Sequence, residues 1–113
     1  MAAAERPVYL QLRDRIAEAI LEGRYREGDM LPSVRAFAAE QGANPLTVAK
    51  AYQLFQEEGL VVVRRGVGMF VADGATRRLL ERERNAFLNE EWPRIRQVIE
   101  RLQIDLSELF ARA

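Results

Sequence analysis

Neither cysteine nor histidine occurs anywhere in the 113 residues. The first absence excludes disulfides, thiolate metal sites and a thiol nucleophile. The second removes the commonest zinc ligand, the commonest general base and the centre of a Ser-His-Asp triad. No apolar run approaches the roughly 18 residues of a membrane span, and MAAAERPVYL has no signal-peptide core. A cytoplasmic protein, off the membrane, is the expectation. Lysine is nearly missing too: Lys50 stands alone against sixteen arginines. The arginine fork suits phosphate and guanine, although a GC-rich genome would leave the same bias.

What is present supports a small soluble domain. The chain is 49% hydrophobic and 30% charged, ordinary values for a globular protein. Its 17 basic and 17 acidic side chains cancel, which argues against an indiscriminate polyanion binder but not against segregated charge. A core this small leaves much surface uncovered, so oligomerisation is a natural way to complete burial.

Enzyme constellations do not assemble. The GVG in RRGVGMF lacks the third glycine and the following helix of a dinucleotide loop, and no P-loop lysine follows. Glu57-Glu58 and Glu90-Glu91 are sequence neighbours whose side chains point in different directions on a helix. They read as solvated charges and not as a catalytic dyad. No cofactor, metal or catalytic residue is expected.

The periodicity predicts a mainly α chain with a small β-hairpin. Residues 7–23 place Tyr9, Leu12, Ile16, Ala19 and Ile20 on one helical stripe between Pro7 and Gly23. RYREGDMLP reads as a short connection. Ser33 then caps a helix carrying Val34, Phe37, Ala38 and Gln41 on one face, ended by Gly42. In NPLTVAKAY, Asn44 caps and Pro45 opens a second helix. Val48, Ala51, Tyr52 and Phe55 fall on one side of it; Leu46, Lys50, Gln53 and Glu57 fall on the other. Two helices joined by a glycine-bearing turn match a helix-turn-helix. Past Gly59, LVVVRRGVGMFVA predicts a hairpin with Gly66 and Gly68 freeing the turn and Arg64 and Arg65 at its tip.

That order is a winged helix-turn-helix, in which the second helix of the pair enters a DNA major groove. Thr47 and Gln53 can hydrogen-bond bases or phosphates, Lys50 can meet guanine or phosphate, and Leu46 can touch a thymine methyl. Arg35 sits in a first helical turn, against the macrodipole, so it is either a DNA contact or an ordinary exposed arginine. Arg64 and Arg65 could reach phosphate or minor groove, or simply protect a strand edge.

Composition shifts at Asp73-Gly74. Beyond it lie a charged helix with Leu79, Leu80, Ala86, Phe87 and Leu88 and a second helix started or kinked by Pro93. Asp105 and Glu108 stand in capping-box spacing ahead of a last short helix. The stripe Trp92, Ile95, Ile99 and Leu102, with Leu106, Leu109 and Phe110, needs a covering surface. That surface is either a second copy or the chain's own winged helix.

PVYLQL, the Gly23 and Gly28 turns, LPSVR, NPLTVAKAY, EEGL and RRGVGMFV together resemble the GntR family of bacterial winged-helix transcription regulators, over Pro7 to Val71. The NP-x-TV-x-KAY form is similar to its YtrA-like branch. The resemblance implies DNA contacts at Arg35 and Thr47 and at the wing glycines Gly66 and Gly68, with Ser33 in the same LPSxR motif. Many members carry arginines early in the recognition helix, where this chain has Pro45, Leu46 and Ala49. The resemblance also implies that the short C-terminal helices dimerise, and the apolar positions expected to do so are Leu80, Phe87, Trp92, Ile95, Ile99, Leu102, Leu106, Leu109 and Phe110.

The expectation is therefore a DNA-binding domain over 1–73 and a helical dimerisation segment over 74–113. The partners would be an operator duplex and a second copy of the chain, acting as a repressor. No residue set marks a pocket for a small effector. The rival expectation is a protein-interaction module built on a winged helix that has lost DNA binding, favoured by zero net charge and by Leu46 and Ala49.

Overall fold

Pro7 fixes the entry to α1 (Val8–Leu21) with an extended backbone, and its carbonyl accepts the Leu10 and Gln11 N–H groups. The computed structural model describes residues 6–112, so the alanine run and the start of MAAAERPVYL lie outside the described residues. Leu12, Ile16, Ala19 and Ile20 are buried on α1, whereas Tyr9 is half-buried at its margin. Arg13 is buried as well, at 6% exposure. Its guanidinium lies 5.5 Å from the Phe55 ring centroid and 3.2 Å from a Glu58 carboxylate oxygen, which compensates its desolvation.

Ser33 opens α2 (Val34–Gln41): the Ala36 N–H donates to its Oγ at 3.1 Å. Gly42, at φ +63°, stops that helix in a left-handed turn that disfavours side chains. Asn44 repeats the device for α3 (Pro45–Glu57), its Oδ1 accepting the Leu46 N–H at 2.8 Å. Val48, Ala51, Tyr52 and Phe55 of α3 are all buried, as the periodicity requires. They meet Leu12 and Ile16 of α1 and Phe37 and Ala38 of α2 in one apolar cluster.

The hairpin is antiparallel, β1 (Val61–Arg64) against β2 (Gly68–Val71), with Val61 opposite Val71 and Arg64 opposite Gly68. Leu60, Val61 and Val71 join its base to the core. One correction concerns RYREGDMLP, which is more than a connection. Met30 pairs with Phe70 as an isolated bridge, Leu31 N–H donates to Met69 O at 2.8 Å, and Val71 N–H donates to Asp29 O at 2.9 Å. The physical reason is the free edge of β2, whose polar groups need partners and whose two strands alone would be marginal.

After the hairpin comes α4 (Ala75–Ala86), with Ala75 and Leu79 fully buried in the winged-helix core. The chain divides into two compact units, Met1–Leu80 and Glu81–Ala113, so the division falls inside α4 and beyond the compositional shift at Asp73. The reason is that α4's first turns still carry core residues.

In the second unit the chain widens into a π-helical segment (Phe87–Glu91) and then runs on as α5 (Trp92–Arg101). Pro93 accounts for the widening, because it has no N–H to offer the Asn89 carbonyl and its ring would crowd that oxygen. Gln103, at φ +55°, ends α5: Ile104 N–H donates to Ile99 O and Gln103 N–H to Glu100 O. This is a Schellman stop with glutamine where glycine is usual. The last helix, α6 (Leu106–Ala111), has the expected reciprocal cap, Ser107 N–H to Asp105 Oδ1 and Asp105 N–H to Glu108 Oε2. Among the described residues of this unit no side chain is buried.

Candidate nucleic-acid interface

The outer face of α3 is set by its cap. With Asn44 and Pro45 fixing the start, Leu46, Ala49, Lys50 and Gln53 are exposed, Leu46 at 80%, while Thr47 is half-buried. Gln53 Nε2 lies 3.4 Å from Glu57 Oε2 one turn on. The Lys50 ammonium sits 4.0 Å from the centroid of the Tyr9 ring on α1. Periodicity places Lys50 on the outer face, as the structure does, but gives no sign of its tie to Tyr9.

Two further groups flank α3. Arg35 is the second residue of α2, exposed and without a hydrogen bond or ion pair among the described residues. The hairpin tip carries Arg64 at the end of β1 and Arg65 in the turn, which closes through Val67 N–H to Arg64 O at 2.9 Å. Gly66, at φ +78°, supplies the left-handed residue of that turn. Arg64 is held over the Phe70 ring at 4.6 Å, whereas Arg65 is exposed and without such a partner among the described residues.

The start of α2 and the wing tip meet around one cleft of about 590 Å³, lined by Met30 to Val34, Tyr52 and Val63 to Met69. The structure thus brings Ser33, Arg64, Arg65, Gly66 and Gly68 to one place, with Arg35 next in sequence to the lining residue Val34. Tyr52 holds α3 there: its hydroxyl donates to Pro32 O at 2.7 Å. Burial pushes the Tyr52 phenol far above its ordinary range, with Tyr25 and Glu40 adding to the effect. It stays a neutral donor.

Sequence reasoning missed Glu27. Its carboxylate accepts the Gly74 N–H at 2.9 Å and the Thr76 N–H at 3.3 Å, capping α4 from the far side of the hairpin. The Gly74 N–H chiefly lowers the Glu27 pKa; desolvation opposes it, and the Thr76 N–H and hydroxyl and the Arg78 charge add to the lowering. Arg78 completes the clasp by donating to Gly59 O at 2.8 Å. No local signal marks such a cap, since its acid lies in a different loop from the helix it serves.

Residues 8–71 match the family described as "Bacterial regulatory proteins, gntR family". The chain belongs to the GntR family. Over 75 residues it is 40% identical to the HTH-type transcriptional repressor YtrA of Bacillus subtilis, a match covering 66% of this chain and 58% of that repressor. The chain thus spans about three fifths of the length of such curated relatives. A GntR family transcriptional regulator from Listeria monocytogenes has the same fold, with a TM-score of 0.71 at 27% identity, covering 95% of this chain and 92% of that one. AraR(DBD), solved in complex with operator ORX1, is similar over 59% of this chain and 81% of that one, with a TM-score of 0.57 at 27% identity. The family match stops at Val71, so it covers the GntR winged helix and leaves the second unit outside it.

That second unit carries most of the residues assigned to dimerisation. Phe87, Ile95, Leu102, Leu106, Leu109 and Phe110 are exposed, Phe110 at 80%, and Trp92 and Ile99 are half-buried. Leu80, at the end of the first unit, is exposed beside the fully buried Leu79. Among the described residues no helix is long and apolar enough to cross a membrane.

Proposed function

We propose that this GntR chain is a sequence-specific DNA-binding transcription regulator, a homodimeric repressor that reads a near-palindromic operator. The observation that carries the reading is the presentation of an uncovered, correctly capped α3 face with Arg35 and an arginine-bearing wing. In a winged helix that helix enters the major groove, and flanking basic groups meet the phosphate backbone. Leu46, Thr47, Lys50 and Gln53 make the α3 contacts. Ser33 and Arg35 act at the start of α2, and Arg64, Arg65, Gly66 and Gly68 act from the wing.

The second copy is supported by the exposed apolar side chains of residues 81–112. Side chains such as Leu102, Leu106 and Phe110 gain about 25 cal/mol per Å² when covered, and a two-fold partner covers the same face on both copies. Two-fold symmetry in turn requires two half-sites. Repression is supported by the printed function of the YtrA relative.

Selection of bound duplexes from random DNA tests this directly. The expected outcome is a motif with two inverted half-sites, bound by a dimer in sedimentation. Recovery of no enriched sequence, with the protein folded, would leave only the protein-interaction reading.

A further inference from the structure

We propose that Tyr9 is a positioning residue, which holds the Lys50 ammonium on the flank of α3 for a DNA phosphate and withholds it from the base edges. The inference rests on the DNA-binding reading above. It starts from a contact that ties the outer face of α3 to another helix: Lys50 Nζ lies 4.0 Å from the Tyr9 ring centroid. Lys50 is exposed and Tyr9 half-buried, so the ring backs the ammonium on one side and leaves its other side open to solvent.

Groove dimensions then decide what that charge can meet. The major groove is about 12 Å wide, and a helix with its side chains is about 10–12 Å across. A docked helix fills the groove from wall to wall. Side chains aimed at its floor meet bases; those drawn sideways meet the phosphate walls. Tyr9 belongs to α1, which packs against α3 from outside the helix-turn-helix pair. A charge tethered to that ring is drawn off the floor-facing line of Leu46, Ala49 and Gln53.

The residue type agrees. Reading guanine favours a planar, bidentate fork, which this chain could have taken from its sixteen arginines. Lys50 is instead a compact point charge on a flexible stem. Cation–π attraction fixes its place without using its N–H donors on the exposed side, and these stay available to a phosphate oxygen. To reach a guanine the ammonium would have to leave the ring.

The test uses the full chain and two probes: the duplex selected from random DNA and the same duplex scrambled, each titrated at several salt concentrations. Lys50→Ala should weaken both duplexes by the same factor and leave every base preference unchanged. It should lower the slope of log affinity against log salt by about one. Tyr9→Phe should match the wild type. Tyr9→Leu should weaken both duplexes in parallel, and should cost nothing more once Lys50 is alanine.

A base preference lost at one position in Lys50→Ala, with the salt slope unchanged, overturns the proposal. So does a Tyr9→Leu loss that persists undiminished in the Lys50→Ala background. Because Tyr9→Leu could also disturb α1, a measurement on the unmodified protein stands beside it. The Lys50 ε-methylene protons should show an upfield ring-current shift in the free wild type, and an unshifted signal refutes the tether. If the wild type binds neither duplex, the DNA-binding reading itself fails; failure of this inference alone leaves wild-type binding intact.

Discussion

Gly68→Ala separates what the wing needs sterically from what it needs of its backbone. Gly68 opens β2 opposite Arg64 with φ +155°, a region that side chains rarely adopt. A Cβ built there would stand 2.8 Å from Met30 Sδ and 3.3 Å from Met30 Cγ. The first distance is too short, so something must move. Met30 is 53% exposed and its thioether is flexible, so the collision is relieved by a side-chain swing. The backbone strain has no such escape and costs about 1–3 kcal/mol. For a unit of this size that lowers Tm by about 4–8 °C per kcal/mol. Thermal melts followed by circular dichroism, repeated in a Met30→Ala background, divide the two terms. The loss should persist largely unchanged when Met30 is shortened. Full recovery in Met30→Ala/Gly68→Ala would show that the clash alone requires glycine and would refute the backbone argument. Affinity for DNA should fall with the loosened wing, since Arg64 is paired with Gly68 and positioned by it.

Four further outcomes are expected. Ser33→Ala should destabilise by about 1 kcal/mol in urea titrations, while Ser33→Asp restores the α2 cap; equal stability of all three proteins would dismiss it. Tyr52→Phe should cost about 0.5–1.5 kcal/mol in the same assay, because the Pro32 carbonyl loses its donor. Glu27→Gln should destabilise near neutral pH and not in strong acid: the folded pKa is depressed, so the stabilisation is present above the ordinary glutamate pKa and fades as pH falls through the lowered one. A stability difference between Glu27→Gln and wild type that stays constant with pH would contradict the cap. Leu102→Asp with Phe110→Asp should turn a dimer into a monomer in sedimentation without unfolding the winged helix, and a monomeric wild type would remove the dimer proposal.

What could be read from the sequence and what could not divide along a physical line. Caps and stripes are local: Ser33, Asn44 and Asp105 meet donors two or three residues away, and Val48, Ala51, Tyr52 and Phe55 share a face because a helix turns 100° per residue. Those features needed no knowledge of distant chain. Partners across the fold are another matter. The bridge from Met30 to Phe70 depends on which edge β2 leaves open, and nothing in RYREGDMLP alternates as a strand should. Arg13 occupies a buried position where composition favours an apolar residue, and its contacts with the Phe55 ring, Asp14 and Glu58 are not legible in the local sequence. The same limit applies within the candidate interface. Periodicity puts Lys50 outside and therefore names it as a contact, but it specifies a face and not a destination. The Lys50 ammonium lies 4.0 Å from the Tyr9 ring centroid, and under the proposal above that contact would turn a candidate base reader into a phosphate contact. On a helix with so little other charge, the proposed placement would hand discrimination to Leu46, Thr47 and Gln53. Base preference here should then rest on methyl contacts and single hydrogen bonds, and sequence-independent affinity on Arg35, Lys50 and the wing arginines.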